Sequence, residues 1–155
     1  MKSSPTLHNG DIPTLAGSAQ SALERVCSGA GLDPASKYYS PQFVDHVNGM
    51  EFRGIEGARK SVEMYKSVLQ EIRIGVQEQI VEGSRVVSRF VVEGTNRGRR
   101  VRFNGITISR FEDGLIVEDW SVTDTLGLLQ QLGPWRAALV ALKQLQAFVS
   151  GRGTP

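Results

Sequence analysis

Cysteine is almost missing from this chain. Cys27 is the single one among 155 residues, so no internal disulfide can form, and a reduced cytoplasmic setting fits that count better than secretion. Histidine is nearly as scarce. His8 and His46 are the only two, too far apart in sequence to make a zinc site, so no metal is expected. Long apolar runs are absent: nothing approaches the roughly 20 residues of a membrane span. Met1 to Leu15 carry no hydrophobic stretch of the kind a secretory signal needs, so no membrane partner is expected. A large charge excess is missing too. Lys and Arg total 18 against 16 Asp and Glu, a formal net charge of +2, and the basic residues are scattered except for Arg97, Arg99, Arg100 and Arg102 near one turn. Nucleic-acid binding calls for a larger excess gathered on one element with aromatics between, so no nucleic-acid partner is expected. Gly94 and Gly98 lie in a turn and open no helix, which excludes a phosphate-cradling loop.

What remains is ordinary soluble composition, 40% hydrophobic and 22% charged, in a chain long enough for one cored domain. Met1 to Gly17 is polar and reads as a flexible tail. From Ser18, residues Ala19, Leu23, Val26 and Cys27 fall on one helical face, and Gly29 to Gly31 end the pattern. Asp33-Pro34 reads as a cap and first turn of a short helix through Tyr38-Tyr39. Phe43 to Gly54 is irregular. Ala58, Val62, Tyr65 and Leu69 predict a second helix over 55–70. The period then switches to two. Ile72, Ile74 and Val76 begin a strand, Glu82-Gly83-Ser84 turns it, and further strands follow over 85–93, 101–111 and 115–124. Trp135, Leu139, Leu142, Leu145 and Val149 share one face of a C-terminal helix. Helices first and hairpin-linked strands later predict an α+β fold with a curved antiparallel sheet whose concave side, covered by helices, encloses a cavity. The division is tail 1–17, domain 18–133, and helix with tail 134–155.

The segment from Asp113 to Gly133, which includes Asp-Gly-Leu-Ile-Val-Glu-Asp-Trp, an Asp four residues after the Trp, and Leu-Gly-Leu-Leu-Gln-Gln-Leu-Gly, resembles the closing strand of the SnoaL-like polyketide cyclase (ester cyclase) family. Tyr39-Ser40-Pro41, Phe43-Val44-Asp45-His46, Arg53-Gly54-x-Glu56-Gly57, and Gly94-Thr95 with Arg97-Gly98 match it upstream. The resemblance implies an NTF2-like cone and cofactor-free chemistry on polyketide-type substrates. It also brings two departures. The loop that follows Gly98 in family members is shortened here. The acid/base Asp that the cyclases carry on the last strand corresponds to Ser121, and the facing strand has Gly105 and Thr107 where cyclases have Gln and His. Epoxide-opening relatives use an Arg and two Asp, whereas this strand reads Ser88-Arg89-Phe90-Val91.

Candidate chemistry follows from that pattern. Asp119 lies two residues before Ser121, on the same face of a strand. In a water-poor cavity its pKa rises and it can exchange protons near neutrality; the competing role is a solvated rim charge. His46 is the expected partner in acid/base work, against a purely structural role, with Asp45 or Asn48 holding its tautomer. Asp124 reads as a cap, and Asp45 and Asp124 stand as structural residues or alternative acids. Tyr39, Phe43, Tyr65, Phe90 and Phe103, with Tyr38 beside them, are the rings that can line a cavity. Thr107, Ser109, Ser121 and Thr123 share the inward face with Asp119. Glu118 and Trp120 point the other way, Glu118 toward Arg89 or Arg110. Cys27 reads as packing.

The expected activity is ring closure or isomerisation of a polyketide- or terpenoid-type intermediate, with Asp119 and His46 as the pair and Tyr39, Phe43, Tyr65, Phe90, Phe103, Thr107 and Ser121 holding a hydrophobic small molecule. Hydroxylation or epoxide opening is the second enzymatic reading, and non-catalytic ligand binding the rival from another class. A homodimer through Trp120 and Val122 is expected.

Overall fold

The computed structural model describes residues 14–28 and 35–151. The Asp33-Pro34 cap, the Gly29 to Gly31 stop, His8 and most of the tail lie outside them. Thr14 accepts a hydrogen bond from the Gly17 amide, so the first helix, α1 (Leu15–Ser21), starts three residues before Ser18. It continues as a π-helical segment, Ala22–Cys27. After α2 (Ala35–Tyr38) come β1 (Tyr39–Val47), β2 (Met50–Arg53), α3 (Gly54–Lys66), β3 (Gln70–Glu82), β4 (Arg85–Asn96), β5 (Arg99–Glu112), β6 (Leu115–Thr123), α4 (Thr125–Leu132) and α5 (Pro134–Gly151). Gly54 turns the chain from β2 into α3 at φ +67°, a left-handed conformation suited to glycine, and a Cβ there would press on the Pro41 carbonyl at 3.2 Å.

The six strands form one sheet in the order β2-β1-β6-β5-β4-β3. Strands β3 to β6 are the predicted antiparallel meander. The segment expected to be irregular, 43–54, is instead the β1–β2 hairpin, and β1 joins β6 in parallel. Along β5, Val101, Phe103, Gly105, Thr107, Ser109 and Phe111 are buried and the residues between them are not. That alternation commits one face of the sheet to the core.

Two apolar clusters fill that core. One joins Ala19, Val26, Tyr38, Phe43, Val86, Phe111 and Ile116. The other joins Leu69, Phe90, Val92, Phe103, Leu128 and Leu132. The π-helical segment is pinned to β3 by two side chains: Glu24 accepts from the Val76 amide and Ser28 from the Ile74 amide. Helix α4 has no counterpart in the sequence reading, although its cap does. Asp124 Oδ1 accepts from the Gly127 amide at 2.8 Å, which makes Asp124 a capping residue on an exposed loop. Leu139, Leu142, Leu145 and Val149 on α5 are more than half exposed. Among the described residues no helix is long and apolar enough to cross a membrane.

Candidate active site

The cavity lies between the inner sheet face and the helices. The π-helical segment contributes Leu23, Val26 and Cys27; α3 contributes Ala58, Ser61, Val62 and Tyr65; the strands contribute Tyr39, Phe43, Ile72, Ile74, Phe90 and Val92. At its floor stand Asp45 and Asp119, with Ser121 and Thr123 beside them. Its free space is narrow, about 70 Å³ for the centres of water-sized spheres, against the 300–1,000 Å³ typical of sites for drug-sized ligands. It therefore admits the reacting end of a ligand, and a fused ring system needs the walls to part. Four of the five expected rings line it. Phe103 does not: it packs in the second core cluster, buried beside Val101 and Leu128.

Asp119 faces inward because of an irregularity in β6. Ile116 pairs with Phe111, yet Glu118 pairs with Arg110, so Val117 is an extra residue. Strict alternation from the buried Ile116 would turn Glu118 inward; the bulge turns Asp119 inward instead. Asp119 is 6% exposed, and among the described residues its Oδ1 has no hydrogen-bond partner. Burial pushes its carboxyl up to about 8, the charge of Asp45 adds to the rise, and a hydrogen bond from Ser109 opposes it. The carboxyl form is therefore the stable one near neutrality.

Asp45 stands beside it. The register pairs Asp45 with Asp119 directly across β1 and β6, and Asp45 is 7% exposed. Burial raises Asp45 to about 6, while the Ser61 hydroxyl, donating to Oδ2 at 2.8 Å, and the nearby His46 hold it down. Cys27 and Tyr39 are also in this group: the thiol lies 3.9 Å from the phenol oxygen, and burial pushes the thiol up to about 12. Both stay neutral.

His46 is not brought to Asp119. It follows Asp45 on β1 and so takes the outer face, where Nε2 meets Glu118 Oε1 at 2.9 Å and the ring stacks on Trp120 at 5.6 Å. Neither Asp45 nor Asn48 holds its ring; Glu118 does, with Glu51 at 3.6 Å from Nδ1. Hydrogen bonds from His46 and Arg110 hold the Glu118 carboxyl below its usual range. Of the two arginines expected for Glu118, Arg110 pairs with it at 3.0 Å, and Arg89 pairs with Glu78. Asn48 instead links β6 to α3, donating to Thr123 at 2.9 Å and to Tyr65 at 3.3 Å.

Thr107 and Ser121 fall on the inner face as expected. Ser121 donates to Thr107 at 2.8 Å, but Thr107 is fully buried beneath it and does not reach the cavity surface. Gly105 has a packing reason: the Phe90 ring lies over it, and an added Cβ would sit 2.4 Å from Phe90 Cζ. Gly105→Ala is expected to cost about 1–3 kcal/mol in urea unfolding as Phe90 is pushed toward the cavity. A stability unchanged by this substitution would contradict the packing.

A curved, open six-stranded sheet covered by helices around an inward carboxyl pair places the protein in the NTF2-like class. It belongs to the SnoaL-like polyketide cyclase family, whose model matches residues 18–132. No curated protein matches the chain. Among solved structures, TsrD from Streptomyces laurentii is 28% identical, with 77% of this chain and 92% of that one covered and a TM-score of 0.60. AclR from Streptomyces galilaeus, named as a candidate hydroxylase, is 25% identical over 76% of this chain and 85% of that one, with a TM-score of 0.63. IdmH from Streptomyces antibioticus, named as a candidate polyketide cyclase, shares the fold at 23% identity, 79% and 100% coverage and a TM-score of 0.70.

Proposed function

We propose that the protein is a cofactor-independent cyclase or isomerase that acts on a polyketide- or terpenoid-type intermediate by acid/base catalysis, with Asp119 as the proton-transfer group. One observation carries this reading: a carboxyl with an unpartnered oxygen stands in an apolar cavity, at a pKa that lets it give or take a proton near neutrality. Ser121 and Thr123 supply neutral hydrogen bonds at the same floor, and Tyr39, Phe43, Tyr65 and Phe90 give ring faces to a flat ligand. The family match supports cyclase-type chemistry. The test is turnover of enolisable polyketide ketones by the purified chain with no additive. Product formation that is indifferent to a chelator and lost in Asp119→Asn is expected. Ligand binding without turnover would make the protein a binding module.

Hydroxylation of the same substrate class is favoured by the similarity to AclR and requires dioxygen as co-substrate. Anaerobic turnover separates the two. Nothing favours epoxide opening, because Arg89 faces outward to Glu78 and, among the described residues, no arginine lines the cavity.

The outer sheet face supports a homodimer. Ile106 pairs with Val122 and Ile108 with Trp120, and all four are exposed, Val122 at 63%. Such a patch on a sheet is covered readily by a second copy across a two-fold axis. Light scattering at micromolar concentration is expected to show a dimer, and Val122→Glu a folded monomer. A monomeric wild type would contradict it.

A further inference from the structure

The two carboxyls on the cavity floor come from different strands and sit in different surroundings. Adjacent strands lie about 4.8 Å apart, and Asp45 and Asp119 are direct partners in the β1–β6 ladder with both side chains turned inward. Asp45 has a donor, Ser61, aimed at one oxygen. Asp119 has an oxygen with none. Two carboxylates this close in an apolar cavity do not both ionise readily, and the one with the better hydrogen bond ionises first.

We propose that Asp45 and Asp119 work as a single proton-sharing pair, Asp45 as the ionised base and Asp119 as the protonated acid. This rests on the acid/base reading above and adds a second catalytic residue to it. The step balances within the pair. Asp45 takes a proton from the carbon next to the carbonyl, and the C–H electron pair becomes the new C=C bond. The carbonyl π pair moves to oxygen, which takes the proton of Asp119. The enol either attacks a second carbonyl of the same molecule, closing a ring, with the new alkoxide taking the proton held by Asp45 and Asp119 recovering its own from the enol hydroxyl, or regains a proton at another carbon from Asp45 while Asp119 again recovers its own from the enol hydroxyl. No oxidant or reductant enters. The narrow cavity suits a ketone group inserted end-on between the two carboxyls.

The surroundings keep this division of labour. Cys27 faces the pair from the π-helical segment, Tyr39 from β1, Tyr65 and Ser61 from α3, and Ser109 from β5. Burial raises the three ionisable ones, Cys27, Tyr39 and Tyr65, above their ordinary values, so all stay neutral. His46, behind the sheet, lowers Asp45 and is not among the causes of the rise at Asp119. That asymmetry reinforces the order in which the two ionise.

The test is carbon-13 NMR titration of the full chain labelled at the aspartate carboxyls. In the wild type, each of the two carbons should report two steps, near 6 and near 8, because each senses its neighbour's ionisation. In Asp45→Asn, the midpoint of the Asp119 step should move down by about one pH unit or more. Independent single-step curves in the wild type, or an Asp119 step unmoved in Asp45→Asn, overturn the pair whether or not the protein turns anything over; the wild-type curves need no variant to fold. Separately, deuterium incorporation at the α-carbon of 2-tetralone in heavy water should be accelerated by the wild type and fall at least tenfold in Asp45→Asn and in Asp119→Asn. Exchange that survives in Asp45→Asn overturns Asp45 as the base. Coupled titration without any exchange overturns the acid/base reading beneath the pair.

Discussion

Asp119→Asn is expected to lower turnover by about 10²–10⁴-fold with the fold intact. That is the usual worth of a positioned acid or base. The replacement is isosteric, but the amide has no proton of comparable acidity to give. The loss should fall on kcat, because an interaction made chiefly in the transition state leaves KM nearly unchanged. His46→Ala should not share it, since its ring lies on the other side of the sheet against Glu118 and Trp120. Ser121→Ala should cost far less, since its hydroxyl donates to Thr107 and only a neutral hydrogen bond to the ligand is lost. Equal losses in Asp119→Asn and His46→Ala would move the chemistry out of the cavity.

Folding stability should fall as pH rises from about 4 to about 8. Buried Asp119 sits near 8 in the folded chain, far above the roughly 3.9 of an unfolded aspartate, so the native state binds more protons across that window. A raised carboxyl contributes stability that is fully present below the unfolded value and is lost as pH rises through the folded one. Asp45, near 6, adds to the loss in the lower half of the window. A tenfold difference in proton affinity between the folded and unfolded chains is worth about 1.4 kcal/mol, so the combined change is several kcal/mol, well above what surface carboxylates produce. Urea unfolding at a series of pH values reads it. Asp119→Asn should flatten the curve and make the protein more stable than wild type above pH 8. A wild-type curve that rises from pH 4 to 7 would mean that Asp119 is charged and paired in the native state.

The sequence reveals the strands that have one apolar face. The alternation runs from Ile72 to Val76 before a bulge in β3 and is regular from Val101 to Phe111 in β5, and the meander follows it. It fails at β1, and the reason is informative. The inward residues there are Phe43, Asp45 and Val47; a carboxyl at a core position breaks the apolar pattern, and Pro41, Asn48 and Gly49 add turn chemistry around it. The residue that hides the strand is the one turned into the cavity, as expected where a site overrides local consistency. Period two through Phe43, Asp45 and Val47 was the available signal. The same parity would have placed His46 outside. Helix α4 had its cap in Asp124 and its stop in Gly133 but is only eight residues long. The inward turn of Asp119 agrees with its spacing from Ser121, while the Val117 bulge behind it depends on pairing with β5 and leaves no mark in composition.

Everything proposed for the cavity requires that Asp119 hold a proton there at neutral pH. Infrared difference spectroscopy of wild type against Asp119→Asn tests this most directly. A protonated-carboxyl stretch is expected in the wild type near pH 6, absent from the variant and gone above about pH 10. A difference spectrum showing only carboxylate bands near pH 6 would contradict it.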